Sequence, residues 1–336
     1  MNQFSLSGIL LFALVVPFIM TYRLGPSETP HWLFGGIFAL LLANLGLDLV
    51  KWPKKKIEQL KDLVLWLLVI LVIGSAYFAA ILVRQRTAPV YQVHDIIVQQ
   101  EAAIRFLLQG KNPYAMTYFN TPLENWHYSD TEVNPALFHF VMMPWYLLFA
   151  LPFYAFSISF FGFFDARLPL VFLFGFLLVL AWRLLRSGGE RRRLFLVLLA
   201  FNPATLGYFL EGRSDVFVFA FLFLSWYWLQ RGRLAIAGVP LALALVTKQS
   251  AWPIVPFYLG FLWLKAKKNW RQVIRWLVPL VVTAGVVVLP FFLWDPRAFW
   301  ASTISYLAGT SEHSYPVAVY GWGMVLGRHF YPFWLW

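Results

Sequence analysis

The chain has 336 residues, 60% of them hydrophobic, 20% aromatic and only 12% charged, with a mean hydropathy of +0.67. A soluble globular domain is excluded by that composition, and a β-barrel by unbroken apolar runs such as Leu63 to Val83, where a barrel strand would alternate. The net charge of +12 accompanies no nucleic-acid motif, so the basic residues read as topology signals and no nucleic-acid partner is expected.

Taken in order, apolar runs predict spans near Phe4 to Met20, Trp32 to Val50 and Leu63 to Val83. The N-terminal run has neither a basic leader nor a small-residue cleavage site, so it reads as a retained span. Lys51, Lys54, Lys55, Lys56 and Lys61 separate the second run from the third and mark a cytosolic side. The segment from Arg84 to Asn134 is then external. Within it a helix is expected from Ile96 to Gln109, with Asp95 as N-cap, Gly110 after it and Asn112-Pro113 as the stop.

Arg186 and Arg191 to Arg193 form a second basic cluster, also expected to be cytosolic. An odd number of crossings must therefore lie between Asn134 and Arg186. Three are expected, at Ala136 to Leu151, Phe153 to Phe164 and Leu168 to Leu185, the middle one short for a span. Beyond Arg193 the runs Leu194 to Leu210, Val216 to Gln230, Leu234 to Thr247, Trp252 to Leu264 and Trp276 to Trp294 alternate. A further one starts at Val317, and with Trp336 following so soon, more spans are expected beyond it. The expected architecture is an all-α polytopic membrane protein, one transmembrane domain of about eleven to twelve helices, with residues 84–134 as its external catalytic loop.

That topology gathers His94, Asp95, Glu211, Arg213, Asp215, Glu312 and His313 at the external face, with Lys248 close to it. Carboxylates beside cations at one mouth suit an anionic, phosphorylated substrate. Asp95 as a general base would need only an acceptor hydroxyl within hydrogen-bond reach; its plain alternative is helix capping. His94 reads first as a polar loop residue, and no second histidine stands at metal-ligand spacing. Asp130 and Glu132 form an Asp-x-Glu that could hold a divalent cation, although solvated loop charge explains them as well. Glu211, Arg213 and Asp215 crowd a turn at a membrane mouth, where charges must be solvated or paired. Lys248 either snorkels to the interface or partners a phosphate. Asp295 before Pro296 is a helix start, and Trp322 and Trp334 are interface anchors.

The segments HDIIVQQEAAIRFLLQGKNPY, NPALFHFVMMP, FFDARLPLVFLF, NPATLGYFLEGRSDVFVF and AIAGVPLALALVTKQSAWP occur in this order between Val93 and Leu264. Together they resemble the GT-C superfamily of integral membrane glycosyltransferases, in particular the polyprenol-phosphate-mannose-dependent mannosyltransferases. The form Asp, helix, Gly-x-Asn-Pro-Tyr is carried here by Asp95, Gly110, Asn112, Pro113 and Tyr114. Two departures stand out: Asn134-Pro135-Ala136-Leu137 replaces Tyr-Pro-Pro-Leu, and Gly212-Arg213-Ser214-Asp215 replaces Gly-His/Gln-x-Asp.

The resemblance implies a GT-C-like bundle with juxtamembrane helices in its external loop and a polyprenyl-phosphate hexose as donor. A glycolipid, glycan or protein hydroxyl would be the acceptor, Asp95 the base, and Lys248, Arg213, Asp215, Glu211, His94 and Tyr114 substrate-binding. Asp95 is followed by three apolar residues rather than an Asp-x-Asp, which implies transfer without a metal or other cofactor, at the outer face of the cell membrane. The rival classes are a lipid-linked-sugar flippase, which would distribute charge along a pore and show inverted repeats, and a non-catalytic membrane subunit.

Overall fold

Proline and glycine set most element boundaries in the computed structural model, which describes residues 4–21, 30–127, 133–185 and 189–313. Among these residues there are helices and loops and no strand. The helices are α1 (Leu6–Thr21), α2 (His31–Gly46), α3 (Lys54–Thr87), α4 (Asp95–Leu108), α5 (Pro144–Phe161), α6 (Leu168–Leu184), α7 (Gly189–Ala200) and α8 (Pro203–Glu211). There follow α9 (Asp215–Gln230), α10 (Leu234–Leu245), α11 (Val255–Lys265), α12 (Trp270–Trp294) and α13 (Pro296–Trp300), the last running into a π-helical turn, Ala301–Ser305. The span expected from Val317, the anchors Trp322 and Trp334, the Asp130/Glu132 pair and Arg186 lie outside the described residues.

Charged residues collect at two ends of this bundle. At one end Lys61 pairs with Asp48, Ser5 N donates to Asp48 across 3.0 Å, and Ser7 N donates to Glu190 across 2.7 Å. Arg193 reaches Glu58 at 2.7 Å and Asp62 at 3.0 Å. The starts of α1, α3 and α7 are thereby tied together, and the two basic clusters share this end. At the other end the last turn of α3 meets α4, the 162–167 loop and α8 through Arg84, Glu101, Asp165 and Arg167. With 34 residues rising ~1.5 Å each, α3 is long enough to join the two.

Three helices are long and apolar enough to cross a membrane: α3, α5 and α12. A fourth crossing is formed if α7 and α8, bent by 49° at their junction, count as one. The expectation of eleven to twelve spans exceeds this. The apolar runs are where they were expected, but α1, α2, α6, α9 and α10 hold only 12 to 17 residues. At ~1.5 Å per residue they fall short of the ~30 Å hydrocarbon core.

Between Asn134 and Arg186 the structure holds two helices in place of the expected three crossings: α5, long enough to cross, and α6, of 17 residues. The runs Ala136 to Leu151 and Phe153 to Phe164 are not two spans, because Pro152 lies inside the continuous helix α5. Near its start the Tyr146 carbonyl accepts from Gln100 at 2.6 Å, while Tyr154 and Ile158 share a cavity with Arg84 and Glu101. Gly162, left-handed at φ 74°, then turns the chain back, and Ala166 N reaches Glu101 at 3.0 Å. α6 runs to the basic end, where Trp182 stacks under Arg192.

Candidate active site at the head of the fourth helix

Asp95 opens α4, and the structure gives it a different place from the expected one. The helix begins at Asp95 rather than Ile96, and the N-cap is His94. Asp95 thus stands in the first turn of the helix rather than at the cap position. Its carboxylate lies 2.5 Å from His94 Nδ1 and its side chain is 8% exposed. The same Nδ1 stands 3.4 Å from Ile96 N, but one ring nitrogen cannot donate and accept together. The shorter contact governs, so Nδ1 carries the hydrogen and gives it to Asp95. His94, expected to be a loop residue, orients Asp95.

The position of His94 is itself fixed. Its backbone N–H donates to the Glu211 carbonyl at 2.8 Å, and the preceding Val93 carbonyl accepts from Trp126 Nε1 at 2.9 Å. The head of α4 is thus joined to the turn between α8 and α9, two segments that in the sequence stand more than a hundred positions apart. Gly212 makes the approach possible. It adopts φ +88°, and a Cβ there would sit 2.4 Å from Ile97 Cγ1 and 3.0 Å from Arg167 Cγ, so only glycine fits.

Around that turn the charges are paired. Arg213 Nε is 3.1 Å from Glu211 and its guanidinium lies 4.3 Å above the Tyr208 ring. Lys248 Nζ is 2.8 Å from Asp215. The segment carrying Lys248 is docked to the α5 entry, with Met143 N and Trp145 N donating to the Thr247 and Val246 carbonyls at 3.0 Å each. Gln249 adds bonds to the Val141 and Thr303 carbonyls. Tyr114 is placed elsewhere: it is buried, its hydroxyl donates to the Met142 carbonyl at 2.9 Å, and its ring packs on Phe140, Phe291 and Phe299. His313 stacks on Phe138.

Beneath the site lies an ionic network that the sequence reading did not single out. Arg84 grips both oxygens of Glu101 at 2.8 and 2.9 Å and reaches Asp165 at 2.9 Å. Arg167 grips both oxygens of Asp165, at 2.9 and 2.8 Å. It also donates to the Leu210 and Ala80 carbonyls at 3.2 Å. All four residues are buried, two charges of each sign. Burial pushes the Glu101 carboxyl above its ordinary value. For Asp165 burial acts in the same direction, but the Arg167 and Arg84 guanidiniums outweigh it and hold the carboxyl low. The signal available in sequence was the Asp-Ala-Arg triplet, Asp165 to Arg167, within an aromatic and apolar stretch, since charge there must be paired.

Among the described residues no group of three His, Cys, Asp or Glu could hold a metal ion. The site is thus a sheltered carboxylate oriented by a histidine, next to two exposed ion pairs. Chemically such a set can take a proton from a hydroxyl and, if an ion pair opens, bind an anion. No family model, no curated protein and no solved structure matches this chain.

Proposed function

We propose that this chain is a membrane-embedded hexosyltransferase of GT-C type, a polytopic helical bundle in which shorter apolar helices accompany the three long enough to cross. It works at the outer face of the cell membrane on a polyprenyl-phosphate sugar. The observation that carries the proposal is the bond from His94 N to the Glu211 carbonyl at 2.8 Å. It brings the Asp95 carboxylate to the turn whose Asp215 holds Lys248. The order of motifs from Val93 to Leu264 supports the same reading.

In this mechanism the acceptor hydroxyl gives its proton to Asp95 as its oxygen attacks the anomeric carbon. The bond from that carbon to the phosphate oxygen breaks with inversion, and the polyprenyl phosphate departs with the electron pair. Lys248 releases Asp215 to neutralise the leaving phosphate, and Arg213 is the second cation within the turn. Charge stabilisation of a phosphate leaving group requires no protonating acid. His94 keeps the Asp95 oxygen oriented.

Transfer of a labelled hexose from polyprenyl-phosphate donors by the purified protein tests the proposal. Asp95→Asn is expected to lose ~100-fold or more of the rate while keeping its unfolding temperature. An unchanged rate in that variant would remove Asp95 as base, and absence of transfer across a donor panel would remove the activity.

A further inference from the structure

The Arg84 end of α3, the outer face of α4 and the returning end of α5 enclose a cavity of about 390 Å³, within the ~300–1,000 Å³ range of small-ligand sites. It does not belong to the Asp95 site. Asp95 and Glu101 are six positions apart on α4, which is ~9 Å along the axis and about a third of a turn around it. The cavity borders Glu101 and Arg105 and not Asp95.

Two kinds of surface line it. One wall is basic. Arg84 is consumed there by Glu101, Asp165 and the Pro89 carbonyl, and the four-residue network is electrically balanced. Arg105 is not consumed: its Nε donates to the Glu101 carbonyl at 3.2 Å, and among the described residues its terminal nitrogens meet no carboxylate. The facing wall is apolar, made by Tyr154, Ile158, Phe163 and Phe164. It continues outward along α5 into Phe156, Phe160 and Phe161, which are 54%, 71% and 59% exposed and lie ring against ring.

We propose that this cleft binds an anionic amphiphile, its phosphate head on Arg105 and its chain along Phe163 and Phe164 towards the exposed phenylalanines of α5. A neutral lipid would leave the guanidinium unanswered, and a free anion would leave the aromatic ramp unused. Planar guanidinium groups bind phosphate through two parallel hydrogen bonds. The balanced network behind Arg105 keeps that charge from being cancelled from inside. This assignment does not rest on the transfer reaction, because none of its residues takes part in that mechanism.

The test is photo-labelling of the full chain in neutral detergent with a diazirine-bearing alkyl phosphate, followed by peptide mapping. Label is expected on the Tyr154 to Phe164 segment. Hexadecyl phosphate should compete it away, whereas hexadecanol and inorganic phosphate at the same concentration should not. Arg105→Gln, at an exposed position and therefore expected to fold with an unchanged melting temperature, should cut labelling about tenfold. Asp95→Asn should label as the unmodified protein does, whether or not sugar transfer is ever observed. Equal labelling of Arg105→Gln would overturn the proposal. So would equal competition by hexadecanol, which would mean an apolar groove only, or by inorganic phosphate, which would mean a free-anion site.

Discussion

Arg84 and Asp165 stand 81 positions apart in the chain and 2.9 Å apart in the structure. The contact fastens the end of α3 to the loop that launches α6, and Arg167 extends it to α8. Each charge in this network is buried, so its stability depends on every partner being present. Asp165→Asn leaves Arg167 with a neutral partner in an enclosed site. The expected loss is about 3–5 kcal/mol, typical for removing one member of a buried pair, read as a lowered midpoint in denaturant-induced unfolding in detergent. Removing Arg84 and Glu101 together, as the Met/Met double variant, should cost less than Arg84→Met alone, since the double change leaves no carboxylate stranded. A double variant less stable than the single one would contradict this balance.

Gly212 offers a separate handle on the site's geometry. Gly212→Ala places a methyl group 2.4 Å from Ile97 Cγ1 on a left-handed backbone, with an expected cost of about 2 kcal/mol or more. If the His94–Glu211 contact aligns Asp95, transfer activity should fall further than the lost folded fraction accounts for. Ile97→Ala in the same chain removes the clash and should restore part of both. Restoration of stability without any restoration of rate would separate the turn from the function.

Much of the helical layout was legible in the sequence, because apolar runs are written locally. The apolar parts of α3, α9 and α12 coincide with the expected runs, although α3 starts at Lys54 and α12 at Trp270, ahead of the expected Leu63 and Trp276. The path of α5 was not legible. Pro152 reads as a break, yet the helix continues through it. For the site, Asp95, the Glu211 to Asp215 turn and Lys248 stood out as charges at the ends of apolar runs. Their pairing did not, since the partner of Lys248 is 33 positions away. Tyr114 was singled out on its motif alone, and packing rather than composition buries it. The Arg84, Glu101, Asp165 and Arg167 network combines three separate places in the chain, so a local window displays only its Asp165 to Arg167 part.

The Asp215–Lys248 pair allows stability and substrate binding to be told apart. Asp215 is 66% exposed and Lys248 30%, so the pair contributes little to folding, within ~1 kcal/mol before screening reduces it further. Asp215→Asn should therefore leave the unfolding temperature nearly unchanged. If Lys248 must leave Asp215 to meet the donor phosphate, the same variant should lower the donor KM, because the competing carboxylate is gone. Lys248→Met should raise it about tenfold, the usual value of one charge-assisted hydrogen bond. Parallel rises in both variants would mean that the ion pair, and not the free lysine, serves the site.

Acidification should loosen the far rim of the site, where His139 meets the π-helical turn. His139 Nδ1 is 3.4 Å from Ser302 Oγ, and its ring lies against Tyr306 at 5.1 Å between centroids. Burial pushes the imidazole below its ordinary value of 6.5, and the neighbouring His313 adds to the effect. A histidine with a depressed value stays neutral when folded, whereas the unfolded chain protonates near 6.5. The folded state is thus favoured fully above that pH and loses this advantage as pH falls from 6.5 through the depressed value. Hydrogen exchange of the amides from 301 to 308, corrected for the intrinsic pH dependence of exchange, should show less protection at pH 5.5 than at pH 7.5. His139→Phe keeps a ring against Tyr306 without a titrating group, and its protection should be the same at the two pH values. A pH step of equal size in that variant would assign the loosening to another group, with His313, stacked on Phe138, as the next to replace.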